Sequence, residues 1–469
     1  MDDQIADSKS DQRSELVDLP MDLEPDFDGI SDAPAFVDVV DASVDATSAD
    51  TASLDAPLVQ ETRWLGGANV RGVFNSISSP GARYYSATFG TDELWLYGGI
   101  GLDASGSQVT LADLWRYNIG GGWVHLSGPL TGALQGNWGE RGVEAASNTP
   151  GSRGSALFAS DHDGALWLYG GSGIDALGVS GQLADLWRYS PQSGQWTWVA
   201  GRNTVGLAPS FGVQGMPDNS SLPGQRADGA LWVDGDGHVW IFAGTEPGYF
   251  NWRNDLWSYD PVGDLWTWHG GYIDTPSYGT QGVEAASNWP GRRFDFGYTQ
   301  ASDGSVWIFG GEGNAEVGEW ALGGLWRFRK SSGQWTFISG SKTVGSEGVY
   351  LSLGSPDPTG VPCGRISARL AADPAGVLWL FGGFGRISGG DHSLNDLWRY
   401  EPLTGLWSWM AGSNGGDQPG VYDFPGGWPG ARDGHGLMMV EGQLLLFGGS
   451  GLDSDNTWGK LNDLWVIAR

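Results

Sequence analysis

Apolar and polar residues alternate along this chain in short runs that stop at glycine. One stretch reads Leu166-Trp167-Leu168-Tyr169 and ends at Gly170-Gly171. Asp185-Leu186-Trp187-Arg188-Tyr189 follows, then Trp196-Thr197-Trp198, then Pro223-Gly224-Gln225-Arg226. Alternation with a period of two predicts pleated strands, and glycine supplies the turns between them. The same phrase recurs six times. Its glycine pairs fall at Gly98-Gly99, Gly170-Gly171, Ala243-Gly244, Gly310-Gly311, Gly382-Gly383 and Gly448-Gly449, spaced by 72, 73, 67, 72 and 66 residues. A repeat of that length sets the architecture before any residue is read for chemistry.

Each copy predicts four strands. Strand a follows the Arg of Pro-Gly-x-Arg. Strand b ends at the glycine pair and carries Trp95, Trp167, Trp240, Trp307 or Trp379; strand c holds Trp115, Trp187, Trp257, Trp326, Trp398 and Trp465. Strand d holds Trp123, Trp196, Trp266, Trp335 and Trp407. The last copy stops at strand c, with Asp463-Leu464-Trp465-Val466-Ile467. Its fourth strand is found at the other end, where Arg63-Trp64-Leu65-Gly66-Gly67 has the strand d pattern and Pro80-Gly81-Ala82-Arg83 follows. The N-terminal strand is therefore expected to complete the last unit and remove an open sheet edge.

Composition supports a thin-layered all-β chain. The 469 residues include 79 glycines and 27 tryptophans, suited to short strands with large buried rings. The formal charge of −30 disfavours nucleic acid and anionic lipid, which need clustered Lys and Arg. No apolar run is long enough to predict a transmembrane segment. One cysteine, Cys363, excludes an internal disulfide. Residues 1–60 hold sixteen acids, two bases and no Trp, a composition that predicts a disordered acidic tail acting as a spacer. The expected domains are thus the tail, 1–60, and a repeat domain, 61–469.

The glycine pair closing strand b and an aromatic pair spaced Tyr-x6-Trp resemble the kelch repeat. Tyr189 and Trp196, Tyr259 and Trp266, Phe328 and Trp335, and Tyr400 and Trp407 keep that spacing, while Tyr117 and Trp123 are one residue short. The likeness is strongest to long-repeat bacterial kelch proteins and extends to the galactose-oxidase propeller. Ala243 in place of the first glycine, Gly324 in place of an Asp, and the long repeats depart from the pattern. The resemblance implies a six-bladed β-propeller with four-stranded antiparallel blades.

In such a propeller the a–b and c–d turns share one face. Here they are short, as at Asp163-Gly164 and Leu403-Thr404-Gly405. The longer b–c and d–a connections share the other face, where binding is expected. Three sets of residues stand out. Arg83, Arg153, Arg226, Arg293, Arg365 and Arg432 arrive at that side, and converging guanidinium groups suit an anion. Their structural alternative is bonding to loop carbonyls or to Glu144, Glu284 or another acid. Trp138, Trp252, Trp289, Trp320, Trp428 and Trp458, with Tyr249, Phe250, Tyr278 and Tyr422, lie in loops, where flat rings suit sugars or cap the fold. Asp113, Asp185, Asp255, Asp396 and Asp463 precede strand c and are expected to order turns.

Catalytic signals are thin. Asp228, Asp295, Asp433 and His435 on strand a are acid–base candidates whose separation the sequence leaves open. The six histidines lack metal-ligand spacing, so no metal or cofactor is expected. Asp234-Gly235-Asp236-Gly237-His238 lacks the later ligands of a calcium loop and reads as a turn. The expectation is a monomeric, non-catalytic binding protein holding a protein or glycan on the long-loop face. The alternative is a propeller enzyme, similar to sialate epimerase, acting on a small acidic sugar at the axial mouth. The tail resembles spacers of exported bacterial proteins, which favours secretion or the cell envelope over the cytoplasm.

Overall fold

Each copy of the phrase folds back on itself as an antiparallel sheet in which chain neighbours pair. The computed structural model describes residues 61–90, 92–246, 251–271, 275–423 and 426–468. They lie in the compact unit Ser53–Arg469. The expected tail, 1–60, and the loop residues Tyr249 and Phe250 lie outside the described residues. Among the described residues every regular element is a strand, and no helix is long and apolar enough to cross a membrane.

In the second copy strand a is Leu157–Ser160, b is Leu166–Tyr169, c is Ala184–Ser190 and d is Gln195–Arg202. They lie side by side in that order, with Trp187 opposite Leu168 and Tyr189 opposite Trp196. The fourth copy repeats this four-stranded order, and the other copies add short strands to reach five. The result is an all-β chain of antiparallel four- and five-stranded sheets, consistent with a β-propeller.

Strand b ends at the glycine pair in the second and fourth copies, but in the other four the pair is a bulge within a continuing strand. In the first copy the register between strands b and c shifts between Tyr97 and Gly99, where Gly98 and Gly99 adopt φ of 59° and 97°. A Cβ on Gly98 would lie 2.5 Å from the Arg153 carbonyl oxygen of the next copy. Pairing resumes past the bulge, so Leu94–Leu102 and Gln108–Asn118 form one continuous hairpin. The fifth and sixth copies do the same. Their b–c connections, expected as long loops, are therefore largely extended ladder.

Successive copies bury one another's strand faces. Trp95, Tyr97 and Leu114 of the first copy pack with Leu166, Leu168, Trp187 and Trp196 of the second. Burying each such side chain contributes about 1.5–3 kcal/mol. The Tyr97 hydroxyl donates to the Gly151 carbonyl at 2.7 Å, and Tyr169 does the same to Gly224 at 2.6 Å. The first and last copies meet in the same way. Glu61–Gly66 pairs antiparallel with Trp458–Ala468, placing Trp64 opposite Trp465. Trp123 lies edge-on to Phe447 at 5.0 Å.

Candidate functional site

The six repeated arginines lie inside the sheets. Arg83, Arg153, Arg226, Arg293, Arg365 and Arg432 are at most 1% exposed. Five of them grip the aspartate that opens strand c with two parallel bonds: Arg83 to Asp113, Arg153 to Asp185, Arg226 to Asp255, Arg365 to Asp396 and Arg432 to Asp463. All ten bonds are 2.7 to 3.0 Å long. The same aspartates accept the indole N–H of Trp115, Trp187, Trp257, Trp398 and Trp465. Burial would raise the Asp113 carboxyl, but the Arg83 charge together with bonds from Arg83, Trp115 and Asn75 holds the group below its ordinary range. These five guanidinium groups face carboxylates and carbonyls and offer no surface to a ligand. Glu284, one of the expected partners, pairs instead with Arg329 at 3.5 Å.

The loop tryptophans are also mostly covered. Trp138 is 3% exposed and donates to Asp185 at 3.0 Å. Trp252 is buried against Phe294, with ring centres 6.1 Å apart. Trp289 and Trp428 are half-buried and donate to the carbonyls of Asn254 and Asn395, each at 2.8 Å. Trp320 is half-buried. Trp458 stands apart at 40% exposed. The six do not form one open aromatic platform, because most of them pack against or hydrogen-bond the sheets beneath.

A different set comes together where strand a begins. The second residue after each repeated arginine is Tyr85, Ser155, Asp228, Asp295, Ser367 and Gly434. All six are left-handed, with φ between 50° and 57°. Five carry a side chain, and each such conformation costs about 1–3 kcal/mol. The bend lets each copy hand its N–H to the previous one. Tyr85 donates to the Gly434 carbonyl at 2.9 Å, Ser155 to Tyr85 at 2.8 Å, Asp228 to Ser155 at 3.1 Å, Asp295 to Asp228 at 2.9 Å and Ser367 to Asp295 at 2.9 Å.

Asp295 is the hub of this cluster. It accepts a bond from Arg369 at 3.0 Å, one from the Tyr85 hydroxyl at 3.3 Å and a close one from Ser367. Arg369 keeps 23% of its side chain open. Burial and the Asp295 charge push the Asp228 carboxyl up to about 7, and the same two causes push Asp433 to about 7. Burial keeps His435 neutral, well below its ordinary value. Asp228, Asp295, Asp433 and His435, the acid–base candidates of the sequence, thus share one locality. Tyr85, Ser367 and Arg369 were missed there. The signal that marks Tyr85 and Ser367 is their position two residues after each arginine.

A cavity of about 1330 Å³ opens from this cluster. Tyr85, Ser155, Asp228, Asp295 and Arg369 line its deep end, and the a–b turns at Asp161, Asp236, Asp303, Asp373 and Glu441 line its rim. Nine acids and three Arg or Lys residues contribute to the lining. The space therefore opens among the short turns, not among the long loops. At its rim Asp234, Asp236 and His238 are close enough to hold a metal ion. Lys330 places its ammonium 2.5 Å from both aspartates. Asp234 also accepts the backbone N–H of Asp236 and His238, at 2.9 and 3.1 Å, which makes the segment a turn.

No family model matches the chain, and no curated protein does. A solved structure titled "Structure of YjhT" is 14% identical, covers 84% of this chain and 96% of that one, and superposes with a TM-score of 0.50. At that identity the likeness concerns the fold alone, and it agrees with an all-β chain of propeller type.

Proposed function

We propose that the chain is a six-bladed kelch-type propeller, closed by its N-terminal strand, that binds its ligand in the acidic axial funnel. The repeat domain of this reading is 61–469, preceded by an acidic spacer. The repeated arginines serve the scaffold, and five of them stitch the approach to strand a to strand c of their own blade. The working side moves from the long-loop face to the short-turn face, because that is where the open space is.

The observation that carries the reading is the lining of the funnel, nine acids against three bases around 1330 Å³. A cavity walled by one sign of charge concentrates the opposite sign. The favoured ligand is therefore a lysine- or arginine-bearing protein segment. Phe89 and Tyr298, half-buried in the walls, offer apolar contact to its side-chain stems. Titration calorimetry with penta-lysine, penta-glutamate and neutral oligosaccharides tests this. Binding of penta-lysine that weakens with salt supports it; binding of penta-glutamate alone contradicts it.

A second reading, an enzyme acting on a small sugar, is favoured by one observation. Asp228 and Asp433, each near 7, flank Arg369 and Tyr85. A carboxyl poised near neutral pH suits proton transfer, and Arg369 could meet an acidic group. Turnover of a sialic acid that is lost in Asp228→Asn, with the fold intact, would select this reading over simple binding.

A further inference from the structure

Five blades satisfy a buried arginine with an aspartate, and the fourth does not. Gly324 stands where the other copies have Asp113, Asp185, Asp255, Asp396 and Asp463. Arg293 is nevertheless fully buried. It keeps the bonds that orient the arginine head elsewhere, to the Gly291 carbonyl at 3.2 Å and the Gly310 carbonyl at 3.1 Å. Its counterparts make the second of these bonds to Gly98, Gly170, Ala243, Gly382 and Gly448. The Nη2 of Arg293, which in the other copies meets the carboxylate, has no partner. The indole N–H of Trp326 has none either, whereas its five counterparts donate to the aspartate at 2.6 to 2.7 Å.

A third donor group borders the same place. Tyr278 packs on Trp326 at 4.9 Å, as Tyr350 packs on Trp398 at 5.1 Å and Tyr422 on Trp465 at 5.0 Å. The hydroxyls of Tyr350 and Tyr422 each donate to the local aspartate at 2.6 Å. A Cβ on Gly324 would lie 3.3 Å from the Trp326 Nε1 and 3.2 Å from the Phe337 ring. A buried cation without a counter-charge is strongly unfavourable, and burial pushes Arg293 down to about 10. Glu316, whose charge acts on Tyr278, is exposed.

We propose that the fourth blade holds a small monovalent anion of carboxylate or halide type, chloride or formate, between Arg293 Nη2 and Trp326 Nε1, with Tyr278 as third donor. The anion replaces the missing side chain and completes the sixth stitch. Ligation of this kind stabilises by mass action, so stability follows the anion concentration. The full chain should melt at progressively higher temperature as sodium chloride or sodium formate is raised. Sodium gluconate at equal ionic strength, too bulky for the place, should give a smaller rise. Gly324→Asp supplies the carboxylate internally and should erase the difference between the salts. Equal responses of the wild-type protein to all three salts, or a Gly324→Asp protein that still distinguishes them, would overturn the proposal. Crystals of the wild-type protein soaked in sodium bromide give a test that needs no variant. An anomalous peak beside Arg293 Nη2 is expected, and its absence there would refute the site.

Discussion

Trp64 lies directly across from Trp465 in the sheet that joins the beginning of the described chain to its end. Four hundred residues separate them along the chain. The strand Glu61–Gly66 therefore supplies the outer edge of the last copy's sheet. Deleting residues 60–70 should lower the melting temperature by ten degrees or more, since it bares the strand Trp458–Ala468 and the ring of Tyr422, which packs against Trp64 at 5.3 Å. Deleting 1–55 should change it by no more than a degree or two. Calorimetry on both truncations checks this, and equal losses would count against closure by that strand.

The arginine–aspartate stitches should be individually costly to break. Asp185→Ala leaves Arg153 buried with two carbonyl partners and no counter-charge. The expected loss is about 3–5 kcal/mol, the usual consequence of orphaning a buried ion. Arg153→Met, which removes the cation, orphans Asp185 instead and should cost a similar amount. Changing both together should cost less than the sum of the two. Urea unfolding of the two single variants and the double variant measures that coupling.

Asp228 and Asp433 give stability a defined pH dependence. Their carboxyls sit near 7 in the folded chain and near 4 when unfolded, so the folded state holds more protons between those values. Their contribution is fully present below about pH 4 and is lost as pH rises through about 7. Asp228→Asn and Asp433→Asn should be close to neutral at pH 5 and raise the melting temperature by several degrees at pH 8. Thermal scans at the two pH values test the sign.

Asp103 should act in the opposite direction. Burial alone would raise it, but bonds from the backbone of Gly132, Ser105 and Ser107 and the Ser105 hydroxyl hold it at about 2. Its contribution is present above about pH 4 and is lost as pH falls through about 2. Asp103→Asn should flatten the acid limb of the stability curve and lower stability at pH 6 by about 1 kcal/mol.

Much of the fold was legible because its devices recur. The Tyr-x6-Trp spacing and the stray strand at Arg63-Trp64-Leu65 each predict a pairing that is found, whereas the glycine pairs mark the end of strand b in only two copies. The arginines were legible as a set but not as pairs. Asp185 lies 32 residues from Arg153, and only folding brings the residue that precedes strand a to the opening of strand c. The recurrence of both residue types in the same copies was the available clue. The central cluster was harder still. Asp228, Asp295 and Asp433 come from three copies; Tyr85, Ser155 and Ser367 match the first two in position but not in chemistry, and Asp433 lies one residue earlier in its copy. The long-loop face was favoured because loop length could be counted, whereas the wide space behind short turns such as Asp163-Gly164 has no signature along the chain.

The most direct test concerns the seat of the ligand. Asp92, Asp303 and Glu441 are exposed acids on the lining of the funnel, so neutralising them should leave the fold intact. Calorimetric titration with penta-lysine should show binding to the wild-type protein, roughly tenfold or more weakened in the Asp92→Asn, Asp303→Asn, Glu441→Gln triple variant and unchanged in Trp458→Ala. Binding that survives in the triple variant and disappears in Trp458→Ala would place the ligand on the opposite face and contradict the account.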